Sequence, residues 1–412
     1  WVPFFCYAFS KIGTRSSDYM QVARRIDAVT GGLGLNAQAR MRYGKTGQGC
    51  LPLIQVTAKC LTRNIDPMYA IVEELIGQVD FGDSARLKQL IGEYRSALEA
   101  MIIHNGHRLA ISLSARHFSP AAALSEMWSG VHQIRTIRQF SNEMNDDRID
   151  KLAVDLAAIG KAVFTSDNLV MAAIGEADTV DAAAKRISQS PVLGDFQGPH
   201  ANMNFAPLDL KLDAALPYEG WSTSSAVAFV AQTLPTIRLG HPDAPVLSVL
   251  AKLLRSHYLH REIREKGGAY GGFALYNPEN GMFSLASYRD PHIVQTLNVY
   301  AATAAYTASA PLTDENIHEA ILQVCSEIDK PDPPGPAARR AFMRLVVGLS
   351  DEARRAHKAQ LLKVTKAQVL DAAANYFGNA RDTSATVVIS GHEQLEAANR
   401  KLGDRPLTLQ TI

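Results

Sequence analysis

The chain has 412 residues, 47% of them hydrophobic and 20% charged, the balance of an ordinary globular protein. Its 42 Lys and Arg stand against 41 Asp and Glu, so the basic footprint of a duplex-binding protein is lacking and no nucleic-acid partner is expected. No apolar run reaches membrane-spanning length, the four cysteines have no CxxC spacing, and the opening WVPFFCYAFSKIG is not a signal peptide. We therefore expect no membrane partner and a reducing compartment, the cytoplasm or an organelle matrix, rather than secretion.

This length exceeds one ordinary core and suggests two domains of roughly 200 residues. In chain order, Pro3 opens an apolar helical run, and a second helix, DYMQVARRIDAVT, ends at Gly31-Gly32. LGLNAQAR (33–40) and CLPLIQVTAKCL (50–61) read as strands, followed by a helix over 68–79 and long helical runs. His104-Asn105-Gly106-His107 reads as a turn. At 168–187 a buried strand, a glycine, a polar turn and an Ala-rich helix are expected. The stretch 190–219, with four prolines, reads as an interdomain linker.

The second half begins with a strand candidate, SAVAFVAQTL (225–234). Over 245–266, apolar residues at Val246, Val249, Leu250, Leu253, Leu254 and Ile263 mark one helical face. Pro245 suits the first turn, and Gly267 suits the left-handed position that ends a helix. AYGGFALY and MFSLASYR read as strands joined by the hairpin loop Asn277-Pro278-Glu279-Asn280-Gly281. A helix follows over 293–309, and four prolines between 331 and 336 separate two long helices. Thr365 and Gln368 form a capping box, and SATVVISGHEQLEAANRKL (384–402) repeats the strand–glycine–turn–helix pattern of 168–187. Two copies of one unit are the economical reading. The domains are then 1–195, a linker at 196–220, and 221–412. The second copy has a strand before its Pro245 helix and the first has none before Pro3, so we expect that a strand once preceding Trp1 has been lost.

The expected fold is α/β (α+β): two homologous domains, each an antiparallel-rich sheet with helices mainly on one face. Neither HExxH nor HxxEH occurs, and His392-Glu393 lacks a second histidine. His257 and His260 with Glu262 read as a solvated helix face, so no metal is expected in this chain. The glycines of KGGAYGG follow neither the P-loop nor the dinucleotide pattern. Arg264 and Tyr270 remain, a cation at a helix end and a phenol at a strand start. Arg264 could simply complement the helix dipole and Tyr270 pack as a strand aromatic; alternatively both donate to a developing oxyanion or to substrate carbonyls. Composition alone favours the plain roles, and Tyr288, Arg289 and Asp290 read as a structural polar cluster.

LHREIREKGGAYGGFALYNPENG (259–281), FSLASYRDP (283–291), TGGLG (30–34) and IDKPDPPGPAARRAF (328–342) resemble the pitrilysin/insulinase inverzincin metallopeptidases, in the presequence-protease and falcilysin-like branch. The resemblance is to the C-terminal half of such an enzyme. It implies a clamshell around a peptide chamber, with HxxEH and zinc in an N-terminal half that is the partner of this one. It also implies that Arg264 and Tyr270 reach the substrate near that zinc, with Gly267, Gly268, Tyr288 and Arg289 as candidate substrate contacts. The implied substrates are unstructured peptides, and this chain is expected to be inactive alone. The alternatives are a non-catalytic scaffold subunit and a stand-alone peptide-binding module using a sheet edge.

Overall fold

The computed structural model describes residues 1–43, 49–165, 168–190, 215–309 and 311–412. The first segment runs α1 (Val2–Ala8), α2 (Tyr19–Val29), the antiparallel pair β1 (Leu33–Met41) and β2 (Cys50–Ala58), and α3 (Ile65–Gln78). Five helices follow: α4 (Ser84–Ala115), α5 (Pro120–Ser129), α6 (Val131–Asn142), α7 (Asp146–Val163) and α8 (Ala177–Ser188). The second segment opens with β3 (Tyr218–Thr223), β4 (Phe229–Pro235) and α9 (Ala244–Leu253), which continues into a π-helix (Leu254–Glu265). Then come β5 (Gly271–Asn277), β6 (Met282–Tyr288), α10 (Ile293–Ala301), α11 (Thr303–Ser309), α12 (Asp314–Ile328), α13 (Pro334–Val347), α14 (Asp351–Leu361), α15 (Lys366–Phe377) and α16 (Ala380–Thr383). β7 (Ala385–Gly391), α17 (His392–Leu402) and β8 (Thr408–Thr411) close the chain. Two helical elements, two antiparallel strands and a helix thus recur in the same order in both segments.

Local chemistry sets these boundaries. Asp18 and Gln21 close a capping box on α2, as Thr365 and Gln368 do on α15. Pro3, Pro245 and Pro334 occupy first-turn positions, where a missing N–H costs nothing.

The larger sheet has six strands in the order β5-β6-β4-β7-β3-β8. β5–β6, β6–β4 and β4–β7 are antiparallel, whereas β7–β3 and β3–β8 are parallel. Alternation along its central strands divides two cores. Val230, Leu285 and Val388 face the helices of their own segment. Phe229, Ala231, Ala286, Val387 and Ile389 face the other way and pack with α4 residues such as Leu109 and Leu113. The expected α/β class with antiparallel-rich sheets is observed, but the larger sheet is not covered on one face alone: the second segment's own helices cover one face and α4 of the first segment covers the other.

Among the polar contacts between the segments, two centre on a carboxylate. At the end of α4, Arg116 meets Glu219 of β3 through Nη1 at 3.1 Å and Nη2 at 2.7 Å, and the Trp221 indole N–H donates to the same carboxylate at 2.8 Å. In the β5–β6 loop, Glu279 accepts two bonds from Arg40 at 2.8 Å each and one from the Met41 N–H at 2.9 Å.

Several expectations need correction. The strand expected at 168–175 does not form. Residues 169–174 lie partly exposed with no strand beside them among the described residues, and Leu169, Met171 and Ala173 instead pack on a small cluster with Tyr69 and Ala183. The turn expected at 104–107 takes the form of a kink: α4 is two helices that meet at Asn105, which leaves helical geometry (φ −129°, ψ 24°). The helix over 245–266 is α-helical only to Leu253. Its left-handed end is Gly268 (φ +73°), one residue later than expected. Helix 293–309 is two helices, α10 and α11. β3 and β8 were not anticipated: β3 starts inside the stretch read as linker, and β8 has only four residues. Most of that stretch, 191–214, lies outside the described residues.

Candidate functional site

The segment from the π-helix to the end of β6 forms one surface feature. Wide winding governs its first part: the Lys266 N–H donates to the Arg261 carbonyl, five residues back, at 3.0 Å. In such a helix both the fourth and the fifth residue onward are neighbours. His260 accordingly meets Glu265 through Nδ1 at 3.2 Å and Arg264 Nη1 through Nε2 at 3.3 Å. A neutral imidazole that donates from Nδ1 to the carboxylate and accepts at Nε2 from the guanidinium satisfies both contacts. Arg264 is exposed and forms no ion pair with a carboxylate among the described residues.

The helix stops abruptly. The Ala269 N–H donates to the Ile263 carbonyl at 3.1 Å and the Gly268 N–H to the Arg264 carbonyl at 3.0 Å, across the left-handed Gly268. Gly272 then lets β5 run close against the helix, since a Cβ there would stand 3.1 Å from Leu259. Tyr270 is held between these points by its N–H, which donates to the Tyr288 carbonyl at 3.0 Å. Its side chain is 70% exposed, and the hydroxyl has no hydrogen-bond partner among the described residues. This is not the half-buried strand aromatic that the plain reading describes.

The other candidate substrate contacts differ in character. Gly267 is buried, and the Gly268 N–H is committed to the helix end. Half-buried Tyr288 touches Tyr270 edge-on with ring centres 5.7 Å apart. Exposed Arg289 adopts φ +51°, uncommon for a side-chain-bearing residue, and lays its guanidinium 5.4 Å from the Tyr288 ring. Asp290 is buried, accepting from the His292 N–H at 2.8 Å and the Thr296 hydroxyl at 2.6 Å, so its role is structural. Behind Tyr288 sits His107 of α4, edge-on to Tyr288 at 4.9 Å and stacked on Phe273 at 5.4 Å. Burial, and then the charge of Arg108, lower its pKa from the ordinary value.

His257, His260 and Glu262 do not form a metal site. The Glu262 carboxylate is engaged by Arg261 Nε at 2.8 Å and Lys266 Nζ at 2.9 Å. Among the described residues no three His, Cys, Asp or Glu side chains converge as metal ligands, and no helix is long and apolar enough to cross a membrane. Sequence reasoning passed over the contact of His260 with Arg264, although their four-residue spacing signals it. It could not have found His107, which α4 brings from a distant part of the chain.

Among the described residues this geometry offers hydrogen-bond donors, the Arg264 guanidinium and the Tyr270 hydroxyl, where a helix end meets a strand start. Two family models match: the domain associated with M16 peptidases of subfamily C, over residues 1–140, and the PreP C-terminal domain, over residues 224–391. The chain belongs to the M16 peptidase family and corresponds to its C-terminal half.

Its relatives are presequence proteases. It is 30% identical to the mitochondrial presequence protease of Danio rerio over 418 residues, covering 94% of this chain and 39% of that protein. It is 26% identical to that of Yarrowia lipolytica over 408 residues, covering 96% and 39%. The chain thus spans well under half the length of the curated relatives it matches. Among solved structures, the peptidase M16 inactive domain from Pseudomonas fluorescens superposes with a TM-score of 0.62 at 16% identity, covering 94% of this chain and 87% of that one. The periplasmic protease PqqL from Escherichia coli gives 0.55 at 15% identity, covering 95% and 40%.

Proposed function

We propose that this chain is the non-metal half of a zinc-dependent endopeptidase for unstructured peptides, and that it contributes Arg264 and Tyr270 to a site completed by an N-terminal half. Zinc held in that half would supply the attacking hydroxide. This chain's own part is to donate hydrogen bonds. The Tyr270 hydroxyl and the Arg264 guanidinium approach the substrate carbonyls, and stabilise negative charge as it develops on the oxygen at the bond being cut. His260, through its contact with Arg264, orients the guanidinium. Tyr288 supports the Tyr270 ring from one side, and Arg289 contacts the substrate beside it. The observation that carries this reading is Tyr270 itself, a large aromatic held 70% exposed, with an unpartnered hydroxyl, between two fixed backbone bonds. A side chain that only filled a core would be covered.

The relatives' printed names place them in mitochondria and on presequences. An organelle matrix and cleaved targeting peptides are therefore the proposed setting, with neither membrane nor nucleic acid as partner. The test is turnover of a fluorogenic unstructured peptide by the complete two-half enzyme with zinc, and by this chain alone. The chain alone should be inactive. Tyr270→Phe in the complete enzyme should lower kcat by about 100-fold, as loss of one oxyanion donor does. Unchanged kcat and KM in Tyr270→Phe and Arg264→Gln would remove both residues from the mechanism.

A further inference from the structure

A groove of about 690 Å³ lies beside β5, walled by α9, α12, α13 and α14. Ala251, Val324, Ile328 and Leu349 give it apolar surface. Ala274, Leu275 and Tyr276 of β5 all line it, although consecutive strand residues point to opposite faces of a sheet. The groove therefore follows the edge of the strand rather than one face. That edge is open: β5 is outermost, paired with β6 on one side and with no strand on the other among the described residues. Open edges are ordinarily protected by lysine, proline or inward charge. β5, GGFALYN, carries none of these, and Leu275 stands 42% exposed.

The wall opposite is cationic, and its carboxylates are already engaged. Lys252 holds Glu327 at 2.6 Å, Lys358 holds Asp329 at 2.6 Å, Arg354 holds Asp351 at 2.8 Å, and Arg340 pairs with Asp332. Arg344 and the exposed Arg355 are left over. Arg344 is half-buried in the groove wall, and its side chain makes no hydrogen bond or ion pair among the described residues. Its burial and the nearby charges of Arg354 and Arg340 lower its pKa, with Asp351 offsetting part of the effect. Like charges crowd a half-buried guanidinium here, and Asp351 answers them only in part.

We propose that this groove binds an extended peptide segment bearing an acidic side chain, which pairs its backbone with the free edge of β5 and sets its carboxylate against Arg344. The strand edge supplies affinity through main-chain hydrogen bonds, and the arginine supplies selectivity through a forked, charge-assisted contact. The site is separate from Arg264 and does not depend on the role assigned to Tyr270.

The experiment uses this chain and a fluorescein-labelled, end-capped peptide of alternating valine and glutamate, followed by fluorescence anisotropy. Three probes accompany it: the same peptide with lysine for glutamate, the glutamate peptide N-methylated along one backbone edge, and inorganic phosphate. The glutamate peptide should bind saturably. Arg344→Gln, at unchanged melting temperature, should weaken it about tenfold, the worth of one charged hydrogen bond. The lysine and N-methylated peptides should bind at least as much more weakly. No saturable binding of the glutamate peptide overturns the proposal, and so does equal binding of the lysine peptide. If phosphate displaces the glutamate peptide while N-methylation and sequence make no difference, the groove is a small-anion pocket and the peptide assignment is wrong.

Discussion

Glu219→Ala is the substitution from which the architecture has most to lose. The carboxylate answers three donor contacts, two from Arg116 and one from Trp221, and the side chains of Arg116 and Glu219 are only 10% and 16% exposed. Removing it takes the charged partner from a largely buried guanidinium and an acceptor from the Trp221 indole N–H. Stranding one partner of a buried pair costs about 3–5 kcal/mol. The lower part of that range applies, because Arg116 Nη1 keeps its bond to the Leu113 carbonyl at 2.8 Å. Glu219→Gln preserves an acceptor for the indole and should cost roughly half as much. Arg116→Met with Glu219→Leu, which removes both charges, should recover most of the loss. Differential scanning calorimetry is the assay. A loss of about 3 kcal/mol lowers Tm by roughly 3–4 °C when a chain of this length unfolds as one unit. Because the pair joins α4 to the six-stranded sheet, the whole endotherm should move together. A loss below about 1 kcal/mol would show that solvent screens the pair, and movement of only part of the endotherm would show that the segments unfold separately.

Other outcomes follow from the same geometry. Gly268→Ala places a Cβ at φ +73° and should cost about 1–2 kcal/mol in urea denaturation. Tyr270→Phe should change stability by less than about 0.5 kcal/mol, because the hydroxyl has no partner to lose; a large loss would return Tyr270 to a structural role. Glu279→Ala leaves Arg40 and the Met41 N–H without their acceptor and should lower Tm measurably, whereas Glu279→Gln should retain part of the joint. Burial lowers the pKa of His357, and burial with Arg108 lowers that of His107. Just below the free-histidine value of about 6.5, the unfolded chain binds protons that the folded chain refuses. Stability is therefore full above that pH and falls as pH drops through it, down to the folded-state pKa; His107→Phe with His357→Gln should flatten a Tm profile across this window.

What could be read from the sequence was local. The capping box at Thr365, the first-turn prolines Pro3 and Pro245 and the loop around Gly281 depend on neighbours in the chain, and each lies where expected. Elements that depend on distant partners were misjudged. β8 is four residues long and exists because β3 lies alongside it. Residues 169–174 have the composition of a strand but no strand beside them among the described residues. The polar run at 104–107 kinks α4 at Asn105 but does not open into a loop, because Ile102 and Leu109 on either side stay buried in one core. At the candidate site, the helix end at Arg264 and the strand start after Tyr270 were legible. The wide helix that sets His260 against both Arg264 and Glu265 was not, since no periodicity of the apolar residues distinguishes it from an α-helix.

The position of Tyr270 ties the site to the strand that follows it. Gly268 turns the chain out of the helix, Tyr270 is fixed by its N–H, and Gly272 presses β5 against Leu259, all within five residues. That compression leaves no slack: displacing β5 along its length would pull on the Tyr270 backbone, whereas displacing the π-helix would move Arg264 and His260. The proposed donors, Arg264 and Tyr270, are thus held by two different elements that meet at one glycine turn. Their spacing is a property of the helix–strand packing, and the surface side chains alone do not set it. A substitution that loosens Gly272 against Leu259 should therefore separate the two donors and lower turnover of the complete enzyme, even though it changes neither of them.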